Sequence, residues 1–266
     1  MTPVTDSAAP SPPRGVERND RRTGRPGKDP FELVIGAILH RRMRPILFDF
    51  QREAEFQTVS PGAFFSHIFP GAALRDYEAE FQEVLGSRSV PPGMSTPYRP
   101  ITGISDVEGL VYYSLIRQAR PEIVVETGVA NGRSSTFMLE ALERNGHGRL
   151  ISFDIAADVG ALIPAALRSR WQLRVLPTRG KKSAFRAAMG SIPPVDVFVH
   201  DSDHSYDWQW LEYEEAWRRM TAGGFLLADD ADSCYALLDF ARAQKSRTTN
   251  LVTEKNVLGS LRKPIA

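Results

Sequence analysis

Ile123, Val124 and Val125 follow one another without a polar interruption, and three β-branched residues in a row suit a strand buried on both faces of a parallel sheet. Past them the chain breaks at Gly128 and Gly132 and resumes as an amphipathic helix through Phe137, Ala141 and Leu142. The alternation then repeats. Leu150–Asp154, Trp171–Leu176, Val195–His200 and Gly224–Ala228 are short apolar runs with helical segments between them. That pattern predicts an α/β fold, a mostly parallel sheet with helices on both faces. Two last runs, from Asn250 and from Val257, are separated by Glu254, Lys255 and Asn256 and predict a closing antiparallel hairpin, for a sheet of seven strands.

Ahead of this core, Ser105 and Glu108 have capping-box spacing before an amphipathic run through Leu110, Val111, Tyr113 and Ile116, and Pro121 marks the break before the first strand. Helix-like spacings also join Phe31, Val34, Ile35, Ile38 and Leu39, and later Leu74, Tyr77, Phe81 and Leu85, which predicts accessory helices. The apolar stretch Phe64–Phe69, bounded by Pro61 and Pro70, packs either against the domain or over the site entrance, and its His67 reads as a packed side chain. Residues 1–30 are rich in Pro, Ser, Thr and Arg without an aromatic residue and read as a disordered leader. Acidic residues between its arginines argue against a transit peptide. The expected organisation is therefore a leader over 1–30, accessory helices over 31–103 and a ligand-binding domain over 104–266.

Composition narrows the partners. At 266 residues and 42% hydrophobic content the chain buries one ordinary core with an extra segment. A net charge of +1 with dispersed basic residues gives no field for nucleic acid or an anionic membrane, so a small molecule is the expected partner, with self-association left open. The lone Cys234 rules out an internal disulfide. With no apolar run of membrane-spanning length and no signal-type segment, a cytoplasmic location is expected.

The turn after the first strand reads Glu126-x-Gly128-x-x-x-Gly132. This is not the G-x-G-x-x-G of dinucleotide-binding folds, because Ala130 stands where the middle glycine admits a pyrophosphate. The Glu126 carboxylate would repel a phosphate and suits a ligand bearing an ammonium and a sulfonium. The stretch resembles the first motif of class I S-adenosylmethionine-dependent methyltransferases, whose glycine loop passes under the methionine part of the cofactor. The resemblance implies a Rossmann-like, doubly wound sheet, and cofactor contacts at Glu126, Gly128, Gly132 and Ser134. An ordinary strand-loop-helix turn is the competing reading.

Carboxylates also end the other strands: Asp154, Asp201 and the pair Asp229-Asp230, all on the edge where parallel sheets bind ligands. Asp154 lies twenty-two positions after Gly132, close to the interval at which an acidic residue accepts ribose hydroxyls, though it can equally cap the next segment. The stretch His200-Asp-Ser-Asp-His-Ser-Tyr206 resembles the D-G-D-H-S-Y signature of bacterial methyltransferases that include macrocin-type sugar O-methyltransferases and cephalosporin hydroxylase-like proteins. More distantly it is similar to the strand-four end of catechol O-methyltransferase. Ser202 replaces the usual glycine. By that resemblance Asp201 meets both cofactor and metal, Asp229 and Asp230 complete a magnesium site, and His204 stands near the place of a general base. The alternative is that Asp203, His204 and Ser205 only cap the next helix. The adenine contact is weakly marked, with Ser183 the one suggestion. Trp208, Trp210 and Tyr213 are either acceptor walls or the apolar face of a helix.

Together these readings predict methyl transfer from S-adenosylmethionine to an oxygen of a small acceptor, with Asp201 and His204 in the chemistry and magnesium bound. Two others stand beside it: a protein that binds the cofactor without turnover, and a nicotinamide-dependent oxidoreductase.

Overall fold

Residues 46–87 and 103–265 are described by the computed structural model. The leader over 1–30 and the helix expected from Phe31 to Leu39 lie outside the described residues. The elements run α1 (Ile46–Glu53), β1 (Phe56–Thr58), α2 (Pro61–Ile68), α3 (Arg75–Ser87), α4 (Asp106–Ala119), β2 (Ile123–Thr127), α5 (Arg133–Asn145), β3 (Arg149–Asp154) and β4 (Trp171–Val175). They continue with α6 (Lys181–Gly190), β5 (Val195–His200), α7 (Tyr206–Arg219), β6 (Met220–Ala228), α8 (Ala236–Ala243), β7 (Thr249–Val252) and β8 (Val257–Arg262).

The strands form one sheet in the order β1-β7-β8-β6-β5-β2-β3-β4. Its pairs are parallel except where β8 meets β6 and β7, so the expected antiparallel hairpin is present. The sheet is Rossmann-like and doubly wound, but it has eight strands rather than seven. The additional strand is β1, which pairs with β7 in the register Phe56↔Thr249. A three-residue edge strand whose residues are all half-buried has neither the length nor the alternation that marks a strand in sequence.

β2 is buried along its whole length, as three adjacent β-branched residues suggest. Ile123 and Val125 join the core packed against α6, α7 and α8, while Val124 joins the opposite core beneath α4 and α5. Because β2 pairs with β3 on one side and β5 on the other, the chain reverses its winding at β2. A crevice therefore opens beyond the carboxyl end of β2, where open α/β sheets take their ligands. Helix α4 begins on the expected capping box, Ser105 and Glu108 each holding the other's backbone N–H, and ends at Arg120 in the left-handed conformation before Pro121.

The Phe64–Phe69 stretch is resolved in favour of packing. Phe64 and Phe65 are fully buried in α2, and the Phe69 ring just after it lies 5.0 Å from that of Phe225 in β6. His67 stacks on Phe56 at 4.4 Å, an internal contact. Phe65 also contacts Phe69 and Tyr77 at 5.2 and 5.8 Å. Truncating it in Phe65→Ala is expected to cost about 3–5 kcal/mol and to lower the urea midpoint of the whole domain. An unchanged midpoint would mean that the segment is only loosely attached.

Candidate functional site

Beyond the carboxyl ends of the central strands lies a cavity of about 660 Å³, ample for a cofactor-sized ligand with room beside it. The turns after β2, β3, β5 and β6 form its floor, the start of α4 contributes Glu108, and the β7–β8 hairpin contributes Lys255 and Asn256.

Glu126 is not on the wall of this cavity. Its carboxylate is fully buried and accepts three hydroxyls, Ser134 at 2.7 Å on one oxygen, Ser135 at 2.7 Å and Ser152 at 2.8 Å on the other. Burial raises its pKa, and the three hydrogen bonds oppose the rise. Ser134 is occupied in the same way. Glu126 and Ser134, the expected cofactor contacts, are thus engaged with each other and tie β2 to the start of α5.

The two glycines divide. Gly128 lines the cavity at φ +82°, and a Cβ there would fall 1.9 Å from the carbonyl oxygen of Asp201. Its bare backbone is demanded by the adjacent β5 turn. Gly132, at φ +83°, faces Ile163 and Gly160, where a Cβ would come within 2.8 and 2.9 Å, and it is not on the cavity wall. Both positions need glycine for chain packing, which the spacing alone does not distinguish from ligand approach.

Asp154 does line the cavity at the end of β3. Its Oδ2 accepts Val129 N at 2.9 Å and its Oδ1 accepts Ala156 N at 3.0 Å, which fixes the carboxylate while leaving each oxygen a further lone pair for a ligand donor. Cap and binding group are here compatible roles.

At the other end stand Glu108, Asp201, Asp229 and Asp230. Burial and the neighbouring Asp229 push Asp201 well above the usual carboxylate range, and burial with Glu108 and Asp230 pushes Asp229 to about 7. Asn256 Nδ2 donates to Asp229 Oδ1 at 2.6 Å, and Oε1 of the buried Glu108 has no protein partner. The carboxylates interact, but among the described residues no three His, Cys, Asp or Glu side chains form a group that could hold a metal ion. The magnesium set of Asp201, Asp229 and Asp230 is therefore not assembled. Asp230 has a left-handed backbone at φ 46° and lies 3.5 Å from His204 Nδ1, while Asn256 takes one oxygen of Asp229.

His204 is likewise off the cavity wall. Its Nε2 is buried, 3.9 Å from Asp201 Oδ1, and burial lowers its pKa against the pull of Asp230. The imidazole lies between Asp201 and Asp230, 3.5 Å from the latter, beside the carboxylates rather than on the cavity wall.

Sequence reasoning missed Glu212. Twelve residues beyond His200 and buried in α7, it accepts His200 Nδ1 at 2.5 Å, Thr127 Oγ1 at 2.7 Å and Ser202 Oγ at 2.8 Å. The only available signal was a glutamate on an aromatic helix. Of the aromatic residues on that helix, Trp208 lines the cavity, whereas Tyr213 and Trp210 pack with Phe240. Lys181, also missed, lines the cavity at the start of α6, and Ser183 caps its own turn through Gly180 O.

A doubly wound sheet with a mostly apolar cavity at its switch point, into which a few carboxylates reach, is a ligand-binding arrangement of open α/β folds. Residues 125–231 match the model of a family described as a methyltransferase domain. A suspected O-methyltransferase from Klebsiella pneumoniae superposes with a TM-score of 0.52 and 16% identity over 77% of this chain and 95% of that one. The O-methyltransferase TomG from Streptomyces achromogenes, involved in tomaymycin synthesis and solved in complex with SAM, gives 0.50 and 16% over 76% and 95%. At such identity these likenesses speak for the fold. No curated protein matches significantly.

Glu126→Ala is expected to destabilise the domain by about 1–3 kcal/mol for each serine hydroxyl left without a partner, and Glu126→Gln by less. Urea unfolding measures this. Intact stability with lost ligand binding would instead return Glu126 to the site.

Proposed function

We propose that the protein is an S-adenosylmethionine-dependent methyltransferase that methylates an oxygen of a small acceptor. The observation that carries this reading is the cavity at the switch point of the sheet, lined by Asp154, Asp201 and Asp229 from the stretch that matches the methyltransferase-domain model. Asp154 is the ribose acceptor, its carboxylate held in place by two backbone N–H groups. The loop Gly128–Ala130 lies against the rest of the cofactor. Asp201 accepts the proton of the attacking hydroxyl, a task for which a carboxylate with a raised pKa is suited. The oxygen displaces the thioether in line, the sulfonium loses its charge, and most of the rate comes from holding the two reactants in place.

A divalent cation is a separate reading. What favours it is the mutual destabilisation of Asp201 and Asp229, which a cation would relieve. The donors are not gathered into a site, and no step above depends on one. Among the described residues no helix is long and apolar enough to cross a membrane.

Calorimetry is expected to give binding of S-adenosylhomocysteine and none of NAD, and a panel of hydroxyl acceptors is expected to consume S-adenosylmethionine. Tight NAD binding would overturn the reading, while binding without turnover on any acceptor would favour a cofactor-binding protein. Asp154→Ala should weaken S-adenosylhomocysteine by about ten- to a hundredfold, the loss of hydrogen bonds to a charged group. Asp201→Asn should lose turnover while keeping affinity for the cofactor. Turnover abolished by a chelator and restored by magnesium would establish the cation reading, and full activity in excess chelator would remove it.

A further inference from the structure

The start of α4 brings to the cavity a carboxylate that its helix cap only half occupies. Glu108 Oε2 accepts both the backbone N–H and the hydroxyl of Ser105, at 2.6 and 2.7 Å, whereas Oε1 has no partner although the residue is only 1% exposed. A capping box needs one acceptor oxygen at this position, which glutamine supplies as well as glutamate. The second oxygen and the charge are therefore surplus to the helix, and a buried acceptor left unsatisfied costs stability. After burial itself, the Glu108 charge does most to raise the Asp229 carboxyl, so the two carboxylates are close neighbours. Among the described residues no lysine or arginine pairs with Glu108, Asp201, Asp229 or Asp230: His204 stands 3.9 Å from Asp201 and 3.5 Å from Asp230, and Lys255 donates to Gly103 O at 3.3 Å.

The sheet says which ligand meets this pair. Asp154 ends β3 and Asp229 follows β6, with β2 and β5 between them, three strand spacings or about 14 Å apart. A cofactor whose ribose sits on Asp154 directs the methyl group it donates toward β5, and the space at β6 and the β7–β8 hairpin is left to the acceptor. We propose that the acceptor is a hydroxylated amine, and that Glu108, with Asp229 beside it, receives its ammonium group while its hydroxyl faces Asp201. The inference rests on the cofactor reading above and deepens it by naming the acceptor's class. A neutral diol could donate to the same oxygens, but it brings no charge, whereas an ammonium supplies both donors and the counter-charge that desolvated carboxylates lack. The donor set suits an ammonium better than a small metal ion. Magnesium draws its ligands in to about 2.0–2.1 Å, while an ammonium holds carboxylates at about 2.7–2.9 Å and tolerates the looser spread found here. Bound as an ammonium, the nitrogen has no lone pair with which to attack. The methyl–sulfur bond therefore breaks as a bond to the hydroxyl oxygen forms, the hydroxyl proton passes to Asp201, and the ammonium keeps its protons.

The test uses the full chain saturated with S-adenosylhomocysteine, in chelator, and matched probes on cyclohexane, phenylethyl and methyl glycoside frames. In each set one hydroxyl has as its neighbour an amine, a second hydroxyl or hydrogen. Calorimetry is expected to show the amine member of at least one set binding about tenfold or more tightly than its partners, as for a hydrogen bond to a charged group. With S-adenosylmethionine the same member should give an O-methyl and not an N-methyl product by mass spectrometry. Glu108→Gln keeps the capping acceptor but loses the charge, and should abolish the preference while leaving the affinity for S-adenosylhomocysteine unchanged, which also shows that the variant folds. Equal binding of amine and diol, or no binding of any probe, overturns the proposal. So does an amine preference that survives in Glu108→Gln, and so does one that appears only when magnesium replaces the chelator. A fall in S-adenosylhomocysteine affinity in the variant would give Glu108 to the cofactor's own ammonium, again against the proposal. If the wild-type protein binds no S-adenosylhomocysteine, the cofactor reading fails first, a result distinct from all of these.

Discussion

A buried carboxylate that has no counter-charge fixes the centre of this structure. Glu126 leaves β2 beneath α5, where desolvation disfavours its charge, and three serine hydroxyls from α5 and β3 make up for lost water. Those bonds tie β2, β3 and the first turn of α5 together at the level of the Gly128–Gly132 loop. The loop has little other freedom. Gly128 abuts the carbonyl of Asp201 and Gly132 abuts the chain around Gly160, so the backbone at the cavity floor is pinned from both sides.

A second buried glutamate completes the arrangement on the opposite side of β2. Glu212 joins Thr127 at the end of β2, His200 at the end of β5 and Ser202 in the following turn. Asp201 lies between two residues that Glu212 holds, so its position is set from below rather than by the groups it faces. The same turn must then present Asp201 to the acidic end of the cavity and Asp203 to Lys181. Two residues apart on this turn, Asp201 joins the carboxylates of the cavity wall and Asp203 the ion pair beside Trp208.

Much of this organisation was legible in the sequence. The strand-helix alternation gave the doubly wound sheet, the Ser105–Glu108 spacing gave the start of α4, and the acidic strand ends located the cavity. Which carboxylates face it was not legible. A carboxylate at the end of a strand reads alike whether it points into solvent or under a helix, and only the three serines around Glu126 settle its direction. β1 was too short for any periodicity, and the His200–Glu212 contact joins a strand to the second turn of a helix through no local pattern. Glu108 was visible only as a cap; its second oxygen on the cavity wall depends on how α4 packs against β2 and β6.

The replacement of glycine by Ser202 in the resembled signature follows from the same network. The hydroxyl donates to Glu212 and accepts the Trp208 indole N–H, so it links the buried glutamate to the ring over which the Lys181 ammonium rests. A glycine here would leave the indole N–H unpaired in a residue only 4% exposed, and would free the Trp208 ring to turn. The departure from the family pattern therefore adds a connection. It carries the rigidity of the β2–β5 junction out to the Trp208 ring on the cavity wall.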